Sequence, residues 1–219
     1  MSMTKVCFAG SRRALAAMVA LLLWTFPFAV QAQQAPDKLV KEVADQVVAA
    51  LREDPDLRAG SQSKMAALIE SKIAPHFDFE RMTRLAVGRS WREASDEQKK
   101  MLIEQFRQLL VRSYSTAYTA YRNMVVDVKP VRLQTGEDDV QVKSEIKLPG
   151  GAPPVNVDYA MYKAASEWKV YDVVVDGVSL VTTYRSTFAE EIRQSGVDGL
   201  IKSLREKNAQ PMQVRKPQQ

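Results

Sequence analysis

The hydrophobic period changes once along this chain, and that change limits the folds open to it. Before about residue 122, apolar side chains recur at helical spacing; from Val125 they alternate. The alternation predicts strands near Met124–Leu133, Asp139–Leu148, Pro154–Lys163 and Glu167–Val175, with turns at Gly136-Glu137, Gly150-Gly151 and Ala165-Ser166. These connections are too short for a crossover helix, so the strands form an antiparallel meander. Val155, Val157, Tyr159 and Met161 share one face, as do Val140, Val142 and Ile146. Asp176-Gly177 is a further turn, and two helices follow, about Val181–Gln194 and Val197–Asn208, parted by Gly196.

The helical half reads as four helices. The first begins at Pro36-Asp37, with Asp37 as N-cap, carries the stripe Val40, Val43, Val47 and Leu51, and ends at Asp54-Pro55. A second runs from about Ser61 to Ala74, and a third from Phe77 to Val87, closed by Gly88. Ser95-Asp96-Glu97-Gln98 is a capping box, in which the serine hydroxyl and Gln98 each satisfy a free backbone N–H. It opens the longest helix, about Asp96 to Arg122. The expectation is an α+β fold: a curved antiparallel sheet of about four strands (124–180) packed against C-terminal helices (181–208), with an added helical subdomain (37–122).

The first 32 residues read as a leader. Lys5, Arg12 and Arg13 precede an uncharged run from Ala14 to Ala32, and Val30-Gln31-Ala32 presents small residues at the positions a signal peptidase recognises. The strongly apolar part, Ala14 to Phe28, is shorter than the roughly 20 residues that span a bilayer, and Pro27 breaks it. The expected product of cleavage after Ala32 is a domain over 33–208 with a disordered tail over 209–219. Cleavage revises the charge. The chain carries a net +5, but losing the three basic leader residues leaves 28 Lys and Arg against 26 Asp and Glu, a net +2, so nucleic-acid binding loses its main support. Cys7 leaves with the leader, so the mature protein has no thiol and no disulfide framework.

Chemical motifs are few. A single histidine, His76, excludes a zinc helix with two imidazoles, and no serine nucleophile elbow, dinucleotide fingerprint or phosphate loop is present. His76 follows Pro75 at the end of an apolar helix and reads as a loop or capping residue. Glu137-Asp138-Asp139 lacks the alternating ligands of a calcium loop. Tyr114, Tyr118 and Tyr121 share one face of the longest helix. They are either the rim of a filled helix–sheet core or the wall of an amphipathic pocket, and spacing alone does not separate the two.

Four segments carry a resemblance. Trp168-Lys169-Val170-Tyr171-Asp172 leads through Gly177-Val178-Ser179 to Tyr184-Arg185, and to this are added Phe79 to Trp91, the Ser95-capped helix through Phe106, and Gly196 to Ile201. Together they resemble the MlaC-like toluene-tolerance family of periplasmic phospholipid carriers, over about Asp37 to Lys207. Thr183 stands where relatives can carry Asn. The resemblance implies an NTF2-like sheet enclosing a pocket for acyl chains, with no cofactor and no catalysis. It implies a soluble shuttle between outer and inner membranes that maintains outer-membrane lipid asymmetry. Its partners would be a diacyl phospholipid, an inner-membrane ABC transporter complex with an MCE-domain subunit, and an outer-membrane lipoprotein–porin complex. On that reading the wall is Leu110, Tyr114, Tyr118, Ile146, Val157, Tyr159, Met161, Val173 and Val175, and Met82, Leu85, Val181 and Tyr184 close the mouth. Arg81 and Arg185 are the expected head-group partners, and Trp168 belongs to the core. The competing reading is an NTF2-like enzyme, an isomerase or hydrolase built on Asp158, Asp172 and the tyrosines.

Overall fold

The computed structural model describes residues 34–118, 124–165 and 167–210; the leader, Tyr121 and the tail beyond Gln210 lie outside them. The described residues form six helices and one five-stranded antiparallel sheet. Helix α1 spans Pro36–Glu53, α2 is a single turn at Pro55–Arg58, α3 spans Gln62–Leu68, α4 Phe79–Val87 and α5 Asp96–Tyr118. The sheet follows in simple chain order: β1 Val125–Val128, β2 Asp139–Lys147, β3 Val155–Ala164, β4 Glu167–Val175 and β5 Val178–Ser179. Helix α6, Leu180–Ala209, ends the fold.

Local chemistry sets the helix boundaries. Helix α1 starts at Pro36, whose fixed φ suits a first helical residue and whose missing N–H costs nothing there, so Ala35 rather than Asp37 is the N-cap. Asp37 falls inside the first turn and is buried. The third predicted helix starts two residues late because Phe77 is extended and bridges Val170 of β4, while the Asp78 N–H donates to the Val170 carbonyl at 2.9 Å. Asp78 then caps α4, accepting from the Arg81 N–H at 2.8 Å. The Ser95 capping box forms as expected, with Gln98 N donating to Ser95 Oγ and Ser95 N to Gln98 Oε1. The two predicted C-terminal helices form, joined within α6 at Gly196, whose non-helical φ of 70° is open to glycine at little cost.

Between Ser61 and His76 the chain departs from a plain helix. Ser61 caps α3, but Ile69–Ile73 widen into a π-turn and Ala74–His76 tighten into a 3-10 turn. Pro75 forces the end, since it has no N–H for the ladder.

A bulge sets the inner face of the sheet. Met161 pairs with Val170, yet Ala160 pairs with Asp172, leaving Tyr171 as the extra residue of β4. Before the bulge Trp168 and Val170 point inward; after it Val173 and Val175 do. Tyr171 points outward beside Tyr162, and Arg81 lies over both rings, its Cζ 3.8 and 4.1 Å from their centroids. Asp139 ties this clamp together, accepting from Arg81 Nη2 at 3.2 Å and from the Tyr171 hydroxyl at 2.8 Å, and Tyr162 bonds Asp78.

Two apolar regions result. Helices α4, α5 and α6 enclose a filled core in which Phe106 meets Phe188 edge-on at 5.1 Å and Tyr184 at 4.9 Å, surrounded by Met82, Leu102, Leu200 and Leu204. The other region lies between the inner face of the sheet and α1, and it is hollow.

Candidate functional site

The hollow is a cavity of about 340 Å³. Helix α1 contributes the face Leu39, Val40, Val43, Ala44 and Val47, and the π-turn adds Ile69 and Ile73. The segment from Ala74 to Met82 brings His76, Phe77, Phe79 and Met82, and α5 brings Leu110, Val111 and Tyr114. The sheet closes it with Met124, Val126, Ile146, Val155, Val157, Tyr159, Met161, Val170, Val173 and Val175, and Leu180 lies at its edge. The bulge matters here, because one strand supplies Val170 and Val173 to a single concave wall only if its alternation slips between them.

Polar groups on the wall are three. Tyr114 is largely buried, and the loss of solvent pushes its hydroxyl up to about 12, with Tyr184 nearby adding to the rise. Burial also pushes Tyr159 up, against an opposing hydrogen bond with Ser144. Ser144 is itself buried and donates to the Val157 carbonyl at 2.7 Å. His76 is held below its ordinary value, first by burial and then by Lys169, with Glu167 and Glu42 acting the other way. Both phenols stay neutral across the physiological range, so the wall carries no fixed charge.

Nine of the residues singled out from sequence lie on this wall: Met82, Leu110, Tyr114, Ile146, Val157, Tyr159, Met161, Val173 and Val175. The side chain of Tyr118 lies outside the described residues. Leu85, Val181 and Tyr184 do not close a mouth; they pack into the filled helical core, because α6 lays its first turns against α4 and α5. Arg81 does not face the cavity, being held on the outer face between two tyrosine rings and Asp139. Arg185 is no wall residue either and lies against Gly88. Trp168 is buried among Val140, Val142, Met161 and Val170 and stays in the core. The α1 face and the Ile69–Phe79 segment were missed as wall. Their periodicity marked them as apolar, which is the same signal a filled core gives.

The carboxylates of an enzymatic reading lie elsewhere. Asp158 faces Gln141 on the outer side, accepting from its Nε2 at 3.2 Å. Asp172 is consumed by the start of α6: it accepts from the Val173 and Val181 N–H groups and from Ser179 Oγ. Neither lines the cavity. Among the described residues there is no grouping of His, Cys, Asp and Glu able to hold a metal, and no helix long and apolar enough to cross a membrane.

The MlaC protein family matches residues 41–206, which takes in α1 through most of α6. This chain belongs to the MlaC family. Its family relatives include the "intermembrane phospholipid transport system binding protein MlaC" of Haemophilus influenzae, 24% identical over 191 residues covering 86% of this chain and 85% of the relative. Another is the "toluene tolerance protein ttg2D" of Pseudomonas putida, 23% identical over 180 residues, covering 81% and 82%. Among solved structures, a phospholipid-binding protein from Ralstonia solanacearum, in complex with a phospholipid, superposes with a TM-score of 0.74. It is 38% identical and covers 80% of this chain and 98% of its own. The MlaC relatives are thus named for binding and transport, not for catalysis.

Proposed function

We propose that this MlaC-family chain is a periplasmic phospholipid carrier, exported by cleavage after Ala32, that shuttles lipids between outer and inner membranes and so maintains outer-membrane lipid asymmetry. The observation that carries the reading is the hollow itself: an apolar wall without fixed charge, in a fold shared with a protein solved with phospholipid bound.

The physics of transfer supports it. Each methylene moved out of water gains about 0.8 kcal/mol, so two acyl chains of about 28 methylenes together hold a lipid in its bilayer by roughly 20 kcal/mol against water. A cavity walled by Val, Ile, Leu, Met and Phe offsets nearly all of that loss, which brings membrane-to-protein transfer close to isoenergetic. Nothing in such a pocket selects a direction. Direction then comes from partners, an outer-membrane lipoprotein–porin complex at one end and an ATP-driven inner-membrane transporter with an MCE-domain subunit at the other. The lining residues Leu110, Tyr114, Val157, Tyr159, Met161 and Val173 are the acyl-chain contacts on this reading.

Mass spectrometry of the gently purified, processed protein tests the proposal, together with transfer of labelled phospholipid between two liposome populations. Co-purified diacyl phospholipid and accelerated transfer are expected. No bound lipid and no transfer would overturn it.

A further inference from the structure

The cavity has one polar corner. His76, the only histidine in the chain, lines the wall half-buried, and neither ring nitrogen has a hydrogen-bond partner among the described residues. Lys169, on β4 but not on the wall, reaches the backbone next to His76, its Nζ donating to the carbonyl of Pro75 at 2.8 Å and pairing with Glu167 at 2.7 Å. Glu167 on β4 and Glu42 on α1 act electrostatically on the imidazole, favouring its protonated form. Of the other polar wall residues, Tyr159 is engaged with Ser144, and Tyr114 lies buried near Tyr184. Every other lining side chain is apolar.

The imidazole faces an otherwise apolar hollow with its hydrogen-bonding capacity unused by the protein. A phosphodiester supplies what is missing: it carries a charge that an apolar wall cannot take, and it accepts hydrogen bonds but donates none. We infer that the phosphodiester of a bound phospholipid rests at this corner, hydrogen-bonded by His76 with Lys169 alongside, so that the acyl chains run from there along α1 and the sheet. The inference deepens the carrier reading and rests on it. Neutral His76 donates one N–H to the phosphate oxygen, and the phosphate in turn favours the protonated ring. Inorganic phosphate lacks the acyl chains that anchor an anion against an apolar wall.

A single histidine makes the test direct, because a protein labelled with ¹⁵N at histidine gives one imidazole to titrate. The processed chain is compared lipid-free, loaded with phosphatidylethanolamine, loaded with diacylglycerol, and in millimolar inorganic phosphate. Phosphatidylethanolamine is expected to raise the titration midpoint of His76 above its lipid-free position; diacylglycerol and inorganic phosphate are expected not to. If the phospholipid loads by native mass spectrometry and the midpoint stays put, or moves equally with diacylglycerol, the corner is not the phosphate site while the carrier reading stands. An equal rise with inorganic phosphate makes it a site for free anion and overturns the lipid assignment. Failure of either lipid to load overturns both. His76→Phe keeps the wall apolar and is expected to weaken phospholipid binding about tenfold relative to diacylglycerol; equal weakening of both, or of neither, contradicts the inference.

Discussion

The filled helical core and the hollow beneath the sheet are built from the same kinds of side chain, yet they differ in what surrounds them. In the core, α4, α5 and α6 converge from three sides, and Phe106, Phe188 and Tyr184 meet ring to ring. In the hollow, α1 and the sheet face each other with the widened Ile69–Ile73 turn between them, and no large ring crosses the gap. On the outer face of the sheet, Arg81, Tyr162, Tyr171 and Asp139 tie α4 to β2, β3 and β4. Apolar residues thus make a core or a container according to how the polar groups outside them fix the walls.

The sharpest way to break the comparison is to damage the filled side. Phe106→Ala is expected to cost about 3–5 kcal/mol in urea unfolding of the lipid-free protein, the range for emptying a large buried aromatic site. The corresponding truncation in the hollow, Tyr159→Ala, costs less and changes lipid occupancy more than folding; equal loss of both makes Tyr159 a core residue. Second in size is an alkaline effect. The folded Tyr114 hydroxyl titrates at about 12, above the ordinary 10 of an unfolded chain, so its neutral form stabilises the fold fully below pH 10. Between pH 10 and 12 the unfolded chain binds fewer protons, and stability falls by up to about 1.4 kcal/mol per pH unit. Tyr114→Phe should reduce that slope in unfolding curves across this range, leaving the part due to the other tyrosines that folding also pushes up, Tyr159, Tyr162 and Tyr171.

A smaller loss, about 1–2 kcal/mol, is expected for Arg81→Ala, since it removes a cation stacked on two rings; differential scanning calorimetry reads it as a lowered melting temperature. Least of all should stability respond to Val173→Trp, which puts bulk into existing space: within about 1 kcal/mol of the parent, with bound phospholipid lost from the native mass spectrum. A large destabilisation there would mean that the hollow is packed like the core.

Much of this was legible from the residues. The period change near Val125 foretold the antiparallel sheet, the Ser95 capping box marked the start of α5, and Gly196 marked the bend in α6. The family resemblance pointed to the wall, where eight of the residues expected on it lie, joined by Met82, which was expected at the mouth. What stayed hidden depended on packing partners. Val181 and Tyr184 share an apolar helix face with nothing in the pattern to say that it meets α4 and α5 instead of the cavity. His76 looked like a loop residue because only the fold brings α1 and Lys169 around it. The bulge at Tyr171 was invisible too, although reading both Trp168 and Val173 as inward breaks the strict alternation of one strand.

A sheet that curves around a hollow without closing keeps two free edges, and each is a place where another chain could add a strand. Here both edge strands are short, β1 with four residues and β5 with two, and beside β5 the Phe77 backbone bridges β4 at Val170. The β1 edge is also crowded with charge, with Lys129 and Lys147 both paired to Asp127. Charged side chains and brief strands are the usual defence against edge-to-edge polymerisation. In a fold that keeps an apolar hollow open, such edges oppose the strand addition that would otherwise join one copy to the next.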